Sequence, residues 1–481
     1  MLLPALVLVP LLGALAAYLD RSAVRRSLWI VVCAALHLGL VALAWLLRPA
    51  PAGPGWLAFD PLGGLVLTLT SVVFLAVALY SVGYQQHEPL RGGRAYASCL
   101  LAFLAAASVI TLTRHFGLLW VAMEATTLAT APLIYDPADR RSLEAVWKYL
   151  VVCSVGIAVA LLGIFFLATA QIAGGAAPGR PLLLEDLIAA GPLLHPAWLR
   201  GSFVFVLIGF GTKMGLAPMH TWLPDAHGEA PSPISALLSG ALLNLAFLAI
   251  LRELAVLHAA GQSDFAGPLL VGFGLFSVAV AAAFLFGQGN YKRMLAYSSV
   301  EHMGILAVGV GLAGVAAYGA LLHVLSASLA KALLFLVAGN VWQGTGTKRT
   351  REVTGLARRL PVSAALLVAG FLAISGSPPF GPFLSEFTLL TGAVRSGAIG
   401  TVVALLTLQA LIFISMGSAV FGMVLGRPPA TAPAPAPRES LWLVASPALL
   451  LALVLLLGVW IPAGLREALA EAAASIGGTA P

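Results

Sequence analysis

Gly209 to Arg252 reads GFGTKMGLAPMHTWLPDAHGEAPSPISALLSGALLNLAFLAILR, and it sets a lysine, Lys213, inside an apolar helix just ahead of a proline-broken turn. On translocon-type insertion scales a lysine at a helix centre costs roughly 2.5 to 3.5 kcal/mol, so an ionisable residue at that depth is by default a candidate for an ion path. The composition around this stretch puts it in a membrane. Sixty per cent of the 481 residues are hydrophobic and 9% are charged, with a mean hydropathy of +0.99, whereas about a quarter of a soluble domain is charged. Apolar windows of about 20 residues, the length that crosses a bilayer at 1.5 Å per residue, recur along the chain, about fourteen in all. The expected architecture is an all-α integral membrane protein of about fourteen transmembrane helices.

The first window, MLLPALVLVPLLGALAAYLD, lacks a basic stretch before it, and Arg21, Arg25 and Arg26 follow it, so it reads as a first helix and not as a signal peptide. Lys and Arg concentrate in the odd-numbered loops, above all at Lys348, Arg349, Arg351, Arg358 and Arg359. The positive-inside rule then places those loops in the cytoplasm and both termini outside, in a cytoplasmic (inner) membrane. The net charge of +7 is accounted for by this bias. No basic cluster is interleaved with aromatics, so nucleic acid is not an expected partner. Cys33, Cys99 and Cys153 are isolated in apolar helices and read as packing residues, and the nine histidines follow no metal-ligand spacing. No metal, nucleotide or redox cofactor is expected in this chain.

Two windows are interrupted. The seventh carries Gly215 and Pro218 after Lys213; the twelfth carries Gly376, Ser377, Pro378, Pro379, Gly381 and Pro382 before Glu386. Proline removes a helix hydrogen bond, and such breaks persist at membrane depth only where protein or a water-filled cavity satisfies the freed backbone. Breaks at matching places in two halves point to inverted repeats with a site near the midplane. The expected division is 1–94 for helices 1–3, 95–257 for a first five-helix repeat, 258–427 for a second, inverted one, 428–440 for a Pro/Ala linker, and 441–481 for helix 14 and the tail.

The ionisable residues within the spans are then weighed singly. Glu124, in LLWVAMEATTLATAPL, must pair with a cation or carry a proton, and a Glu124–Lys213 pair would change protonation as a unit. Lys331, with His323 two turns away on the same face, extends the line of titratable groups; the bland reading of His323 is a hydrogen-bonded core histidine. Glu386, after the second break, reads as the end of the line where protons leave. Lys148 lies near a helix end, where a lysine also snorkels to the interface. His220, Asp225, His227 and Glu229 fall in the turn after the seventh window, where they line an access funnel or simply brace the turn. Lys292 and Arg293 read first as topology anchors, with Glu301 and His302 as candidate relay members.

KMGLAPMHTWLPDAHGEAPSPISALLSG, NYKRMLAYSSVEHMG and SGSPPFGPFLSEF, in that order, resemble the antiporter-like subunits of complex I, membrane-bound hydrogenases and multisubunit cation/proton antiporters, over nearly the whole chain. WVAMEATTLATAPLIY and EAVWKYLVVCSVGIAVALLG are most similar to the F-type subunit of hydrogenase 4 and formate hydrogenlyase complexes, related to subunits M and N of NADH-quinone oxidoreductase. The resemblance implies fourteen helices, two inverted five-helix bundles and proton translocation along a central hydrophilic axis, with other membrane subunits of a hydrogenase or complex I-like assembly as partners. It also implies that Glu124 and Lys213 are the driving pair, and that Lys331 and Glu386 are the later stations. Two positions depart from the pattern: Asn244 stands where many members have a bridging lysine or histidine, and Ala327 where a second histidine is expected. Asn cannot take up a full proton at neutral pH. The short stretch after helix 14 lacks the long lateral helix of the largest antiporter-like subunit. Three alternatives stay open on the sequence alone: a Na⁺/H⁺ antiporter subunit of the Mrp kind, a membrane partner of inorganic-carbon uptake, and a scaffold that does not pump.

Overall fold

The computed structural model describes residues 1–87, 93–136, 140–177, 179–426 and 439–481. In chain order α1 (Leu2–Leu19), α2 (Ala23–Leu47), α3 (Pro61–His87), α4 (Arg94–Leu112), α5 (Phe116–Ile134) and α6 (Arg140–Ala173) lead to the short α7 (Leu184–Ala189). Next come α8 (Pro196–Met214), α9 (Trp222–Glu229), α10 (Ser232–Leu237), α11 (Leu243–Ala259), α12 (Ser263–Leu285), α13 (Tyr291–Leu312) and α14 (Gly314–Thr345). The chain closes with α15 (Leu356–Arg359), α16 (Pro361–Ile374), α17 (Gly381–Arg395), α18 (Ile399–Leu425), α19 (Leu441–Val459) and α20 (Ala463–Ala474). Among the described residues, thirteen helical stretches are long and apolar enough to cross a membrane; α16 is apolar but falls short by itself. The Pro/Ala run at 428–437 lies outside the described residues.

Burial sorts the helices into inside and outside. The stretch Ser232–Ala259 and α14 are wholly buried along their apolar windows, whereas only 17% of that of α18 is. Lipid tails are as apolar as leucine, so transmembrane helices associate by close van der Waals packing between small residues. The α6–α8 contact shows this: a Cβ on Gly209 would meet the Ala160 nitrogen at 2.5 Å, and one on Gly163 would meet the Ser202 carbonyl at 3.0 Å. α12 and α13 meet in the same way, with the Gly274 and Gly304 Cβ positions each 2.6 Å from the other's carbonyl oxygen.

Both expected breaks are present. α8 stops because Gly215 is left-handed, at φ 86°, and returns its N–H to Gly211 O at 2.9 Å. Protein groups satisfy the backbone this frees: Trp222 Nε1 donates to Thr212 O at 2.8 Å, and the Ala217 N–H donates to Ser277 Oγ on α12 at 2.9 Å. One expectation is corrected here. Residues 222–229 are not a turn; after a 3₁₀ turn at Met219–Thr221, which holds His220, they form α9, so Asp225, His227 and Glu229 lie on the second half of a discontinuous helix. Pro224 falls in its first turn, where a missing N–H costs nothing. The twelfth window is likewise two helices, α16 and α17, joined through Gly376 at φ 65°. A third irregularity, the π-helical turn Leu238–Leu242 between α10 and α11, gave no sequence signal.

Candidate functional site

A row of buried polar side chains runs through the middle of the bundle. Its first station is Lys213, fully buried on the last turn of α8. Its Nζ donates to Thr127 Oγ1 on α5 and to the Tyr149 hydroxyl on α6, both at 2.8 Å. Thr130 holds the same tyrosine oxygen at 2.6 Å. Glu124 takes a hydrogen bond from Ser154 Oγ at 2.8 Å, and its other oxygen is 3.4 Å from Thr127 Oγ1. Glu124 and Lys213 therefore converge on one threonine hydroxyl and make no contact within 4.0 Å of each other among the described residues. The directly paired ion couple expected from sequence is replaced by a hydroxyl-bridged one.

Two acceptors without partners stand on the way to the second half. Asn244 donates to Ser328 Oγ at 2.8 Å and to Gly240 O at 3.0 Å, while its Oδ1 has no partner. Fully buried His227 bonds Leu223 O through Nδ1 at 3.0 Å. A carbonyl only accepts, so Nδ1 carries the hydrogen and Nε2, also without a partner, is left as a bare acceptor. The ring sits between Trp222, at a centroid distance of 5.9 Å, and Phe335 of α14, at 5.7 Å. His227 thus touches both halves, which no spacing in the sequence announced.

Lys331, on α14, donates to Leu295 O at 3.2 Å. With Ser239, Ser299, Ser328, His302 and His323 it lines a cavity of about 10 Å³, room for about one water. From here hydrogen counting gives a direction. With the one hydrogen of Ser385 on Pro382 O at 2.9 Å, as in an ordinary helical back-bond, Ser385 accepts from His323 Nδ1 at 2.9 Å and from Ser326 Oγ at 3.3 Å. His323 Nε2 is then an acceptor, taking a hydrogen from His302 Nδ1 at 2.9 Å. His302 Nε2 is left without a hydrogen-bond partner, 3.9 Å from a Glu301 oxygen that Ser298 also holds at 3.1 Å. Glu386, one turn into α17, is 4.0 Å from His323 Nε2 and accepts from Gln409 at 2.9 Å. His302, His323 and Glu386 bring one donor atom each within 4.8 Å of one another, a donor set of a kind that also suits a metal ion. The sequence spacing did not foreshadow that cluster.

Toward the Lys348–Arg351 loop the site opens into a cavity of about 1040 Å³ lined by Lys148, Asp225, Glu229, Arg293 and Tyr297 among others. Lys148, at 3.1 Å, and Arg293, at 3.0 Å, clamp Asp225 from two sides, and Lys348 pairs Glu229 at 2.7 Å. Lys148, which also pairs Glu144 at 2.7 Å, is thus a wall residue of this vestibule. His220 lies behind the wall, its ring 6.3 Å from Tyr297 and 6.5 Å from Phe284, with Nδ1 unpartnered. Lys292, read as an anchor, is buried and donates to Ala230 O at 2.5 Å, tying α13 to the gap between α9 and α10.

Residues 113–412 match the family described as NADH:quinone oxidoreductase/Mrp antiporter, TM. The chain is 38% identical to a hydrogenase-4 component F homolog of Methylacidiphilum infernorum, over 81% of this chain and 83% of that one. It is 32% identical to NADH-quinone oxidoreductase subunit N of Desulforudis audaxviator, over 94% and 93%. Its fold matches, with a TM-score of 0.88 at 21% identity and over 99% and 98% of the two chains, one in the membrane-bound sulfane sulfur reductase, an archaeal respiratory membrane complex. The chain is a multi-pass membrane protein of the NADH:quinone oxidoreductase/Mrp antiporter family, an antiporter-like subunit of the complex I and hydrogenase-4 kind.

Proposed function

We propose that this chain moves protons across the membrane along the row from Lys213 past Lys331 to Glu386, driven by a redox reaction in partner subunits of a hydrogenase or complex I-like assembly. The observation that carries this reading is Lys213 itself: a fully buried amine held by two hydroxyls, with its candidate counter-charge one threonine away. Small changes in the Glu124–Thr127–Lys213 geometry change how well an ammonium is tolerated there, because in a low-dielectric interior the balance between desolvation and pairing is steep. The path we infer takes protons from the vestibule at Asp225 and Glu229, past His220, to Lys213. It continues by His227 and the water-sized cavity to Lys331, and by His302 and His323 to Glu386. His227 takes the bridging part that Asn244 cannot. The row is made chiefly of amines, imidazoles and carboxyls, a set for carrying protons; Na⁺, like other hard cations, calls for a cage of oxygens.

In the same reading residues 95–257 and 258–427 are inverted repeats, each contributing one broken helix. The chain lies in the inner membrane with both termini outside. The test is turnover-linked proton uptake by the intact complex in sealed vesicles. Lys213→Ala is expected to lower protons moved per electron at least tenfold while the partner's redox rate in detergent is kept. Uptake at the wild-type ratio would sink the reading and leave the chain a scaffold.

A further inference from the structure

One buried acid lies off this row. Glu253, on α11, is fully buried. Arg252 beside it points away, to the carbonyls of Ile110 at 3.0 Å, Thr111 at 2.6 Å and Thr113, and to Asp60 at 3.8 Å. Among the described residues no Lys, Arg or His nitrogen lies within 4.0 Å of the Glu253 carboxyl. Its Oε2 has no partner, and Oε1 is 2.5 Å from Ser202 Oγ on α8. That serine oxygen is also 2.8 Å from Gly163 O on α6. Ser202 has one hydrogen for these two acceptors, so both contacts are satisfied at once only when Glu253 brings a hydrogen of its own. An ionised carboxylate with one oxygen orphaned and no cation beside it would cost several kcal/mol.

Position adds a role. Ser202 and Lys213 are eleven residues apart on α8, three turns, hence on one face and about 16 Å apart along the axis. The residues between them, Val206 and Gly209, pack against Gly163, Ala160 and Gly156, and Thr212, whose hydroxyl donates back to Ile208 O at 2.7 Å, closes the seam at Gly156. Glu253 is six residues from the end of α11, about 9 Å in from the surface on the α7 side, away from the vestibule.

We propose that Glu253 is a proton-carrying acid of the first bundle. It holds a proton at rest and exchanges it with the α7 side of the membrane, across a close-packed seam from Lys213. The carrying role rests on the proton-transfer reading above; the protonated resting state does not. The test is infrared difference spectroscopy on the intact complex with isotope-labelled glutamate, compared among wild type, Glu253→Gln and Ser202→Ala, with vesicle uptake measured alongside. The expected result is a protonated-carboxyl carbonyl band that shifts in heavy water and is lost in Glu253→Gln. In Ser202→Ala the band moves without disappearing, which keeps the test open should Glu253→Gln fail to assemble. The band should fall and recover with turnover, and Glu253→Gln should reduce uptake at least fivefold. Absence of the band in wild type overturns the proposal. So does a band that stays constant through turnover with wild-type uptake in Glu253→Gln, which would make it a structural acid. If Lys213→Ala pumps normally, the proton-transfer reading fails and takes the carrying role with it, while the band in wild type still decides the protonated resting state by itself.

Discussion

At the scale of single residues, the hydroxyl of Thr127 matters as much as the charges it joins. Glu124 and Lys213 stood out in the sequence because a charge flanked by apolar residues is conspicuous, but the threonine between them is an ordinary member of ATTLAT. Thr127→Val keeps the shape and removes the bridge, leaving Lys213 with Tyr149 alone. Loss of one hydrogen bond to a charged group costs about 1.5 to 3 kcal/mol, so uptake per electron should fall about tenfold or more, and Thr127→Ser should restore most of it. A wild-type ratio in the valine variant would show that the two charges do not communicate through this hydroxyl. The same scale separates His227 from Asn244. If the imidazole is the bridge, His227→Phe should slow uptake several-fold more than Asn244→Leu, measured in the same vesicles; the reverse order would return the bridging part to Asn244 and its water. His227 was one of four polar residues that the sequence left between funnel and brace. Only the fold shows its Nε2 free and its ring against both halves.

At the scale of elements, the two breaks were legible because glycine and proline in an apolar window have few other meanings, and they fell where the fold has them. The segments beyond the breaks were harder to read. α9 is short and polar, WLPDAHGE, and only its packing between α6 and α13 makes it a helix. The π-turn at Leu238–Leu242 has no local signature, since LSGAL also suits an ordinary helix. The second break makes a sharp prediction. Gly376 has φ 65°, and a Cβ there would run into Glu386 Oε2. Gly376→Ala therefore costs about 1 to 2 kcal/mol for a left-handed alanine and pushes the Glu386 carboxyl away from Gln409. Expected are a lower unfolding temperature and a several-fold loss of uptake. Gly346→Ala, left-handed at φ 73° but with open space around it, should cost similar stability and leave uptake unchanged. Equal uptake in both variants would remove Glu386 from the path.

At the scale of the whole molecule, hydrophobicity alone showed an all-helical chain with long apolar spans recurring along it, since a span has to be long and apolar whatever it packs against. It could not say which helices lie inside. α14 and α18 have similar hydropathy, 2.0 and 2.2, yet one is wholly buried and the other mostly exposed. The difference lies in who stands beside them, and Val403, Leu406, Leu411 and Ile414 on α18 face outward to lipid or to a neighbouring subunit. Orientation is the remaining global property, and it decides which way the row runs. The vestibule opens at the loop holding Lys348, Arg349 and Arg351, and α7 lies beyond the opposite end of α8. If the basic loop faces the cytoplasm, a cysteine replacing exposed Arg351 should react with a membrane-impermeant thiol reagent only in inside-out vesicles. One replacing exposed His195, just before α8, should react only in right-side-out vesicles. Cys33, Cys99 and Cys153 are first replaced by alanine, so that each label reports one site. The reverse pattern would turn the molecule over, making the Asp225 vestibule the releasing side and the Glu253 end the loading side, with the same residues on the path.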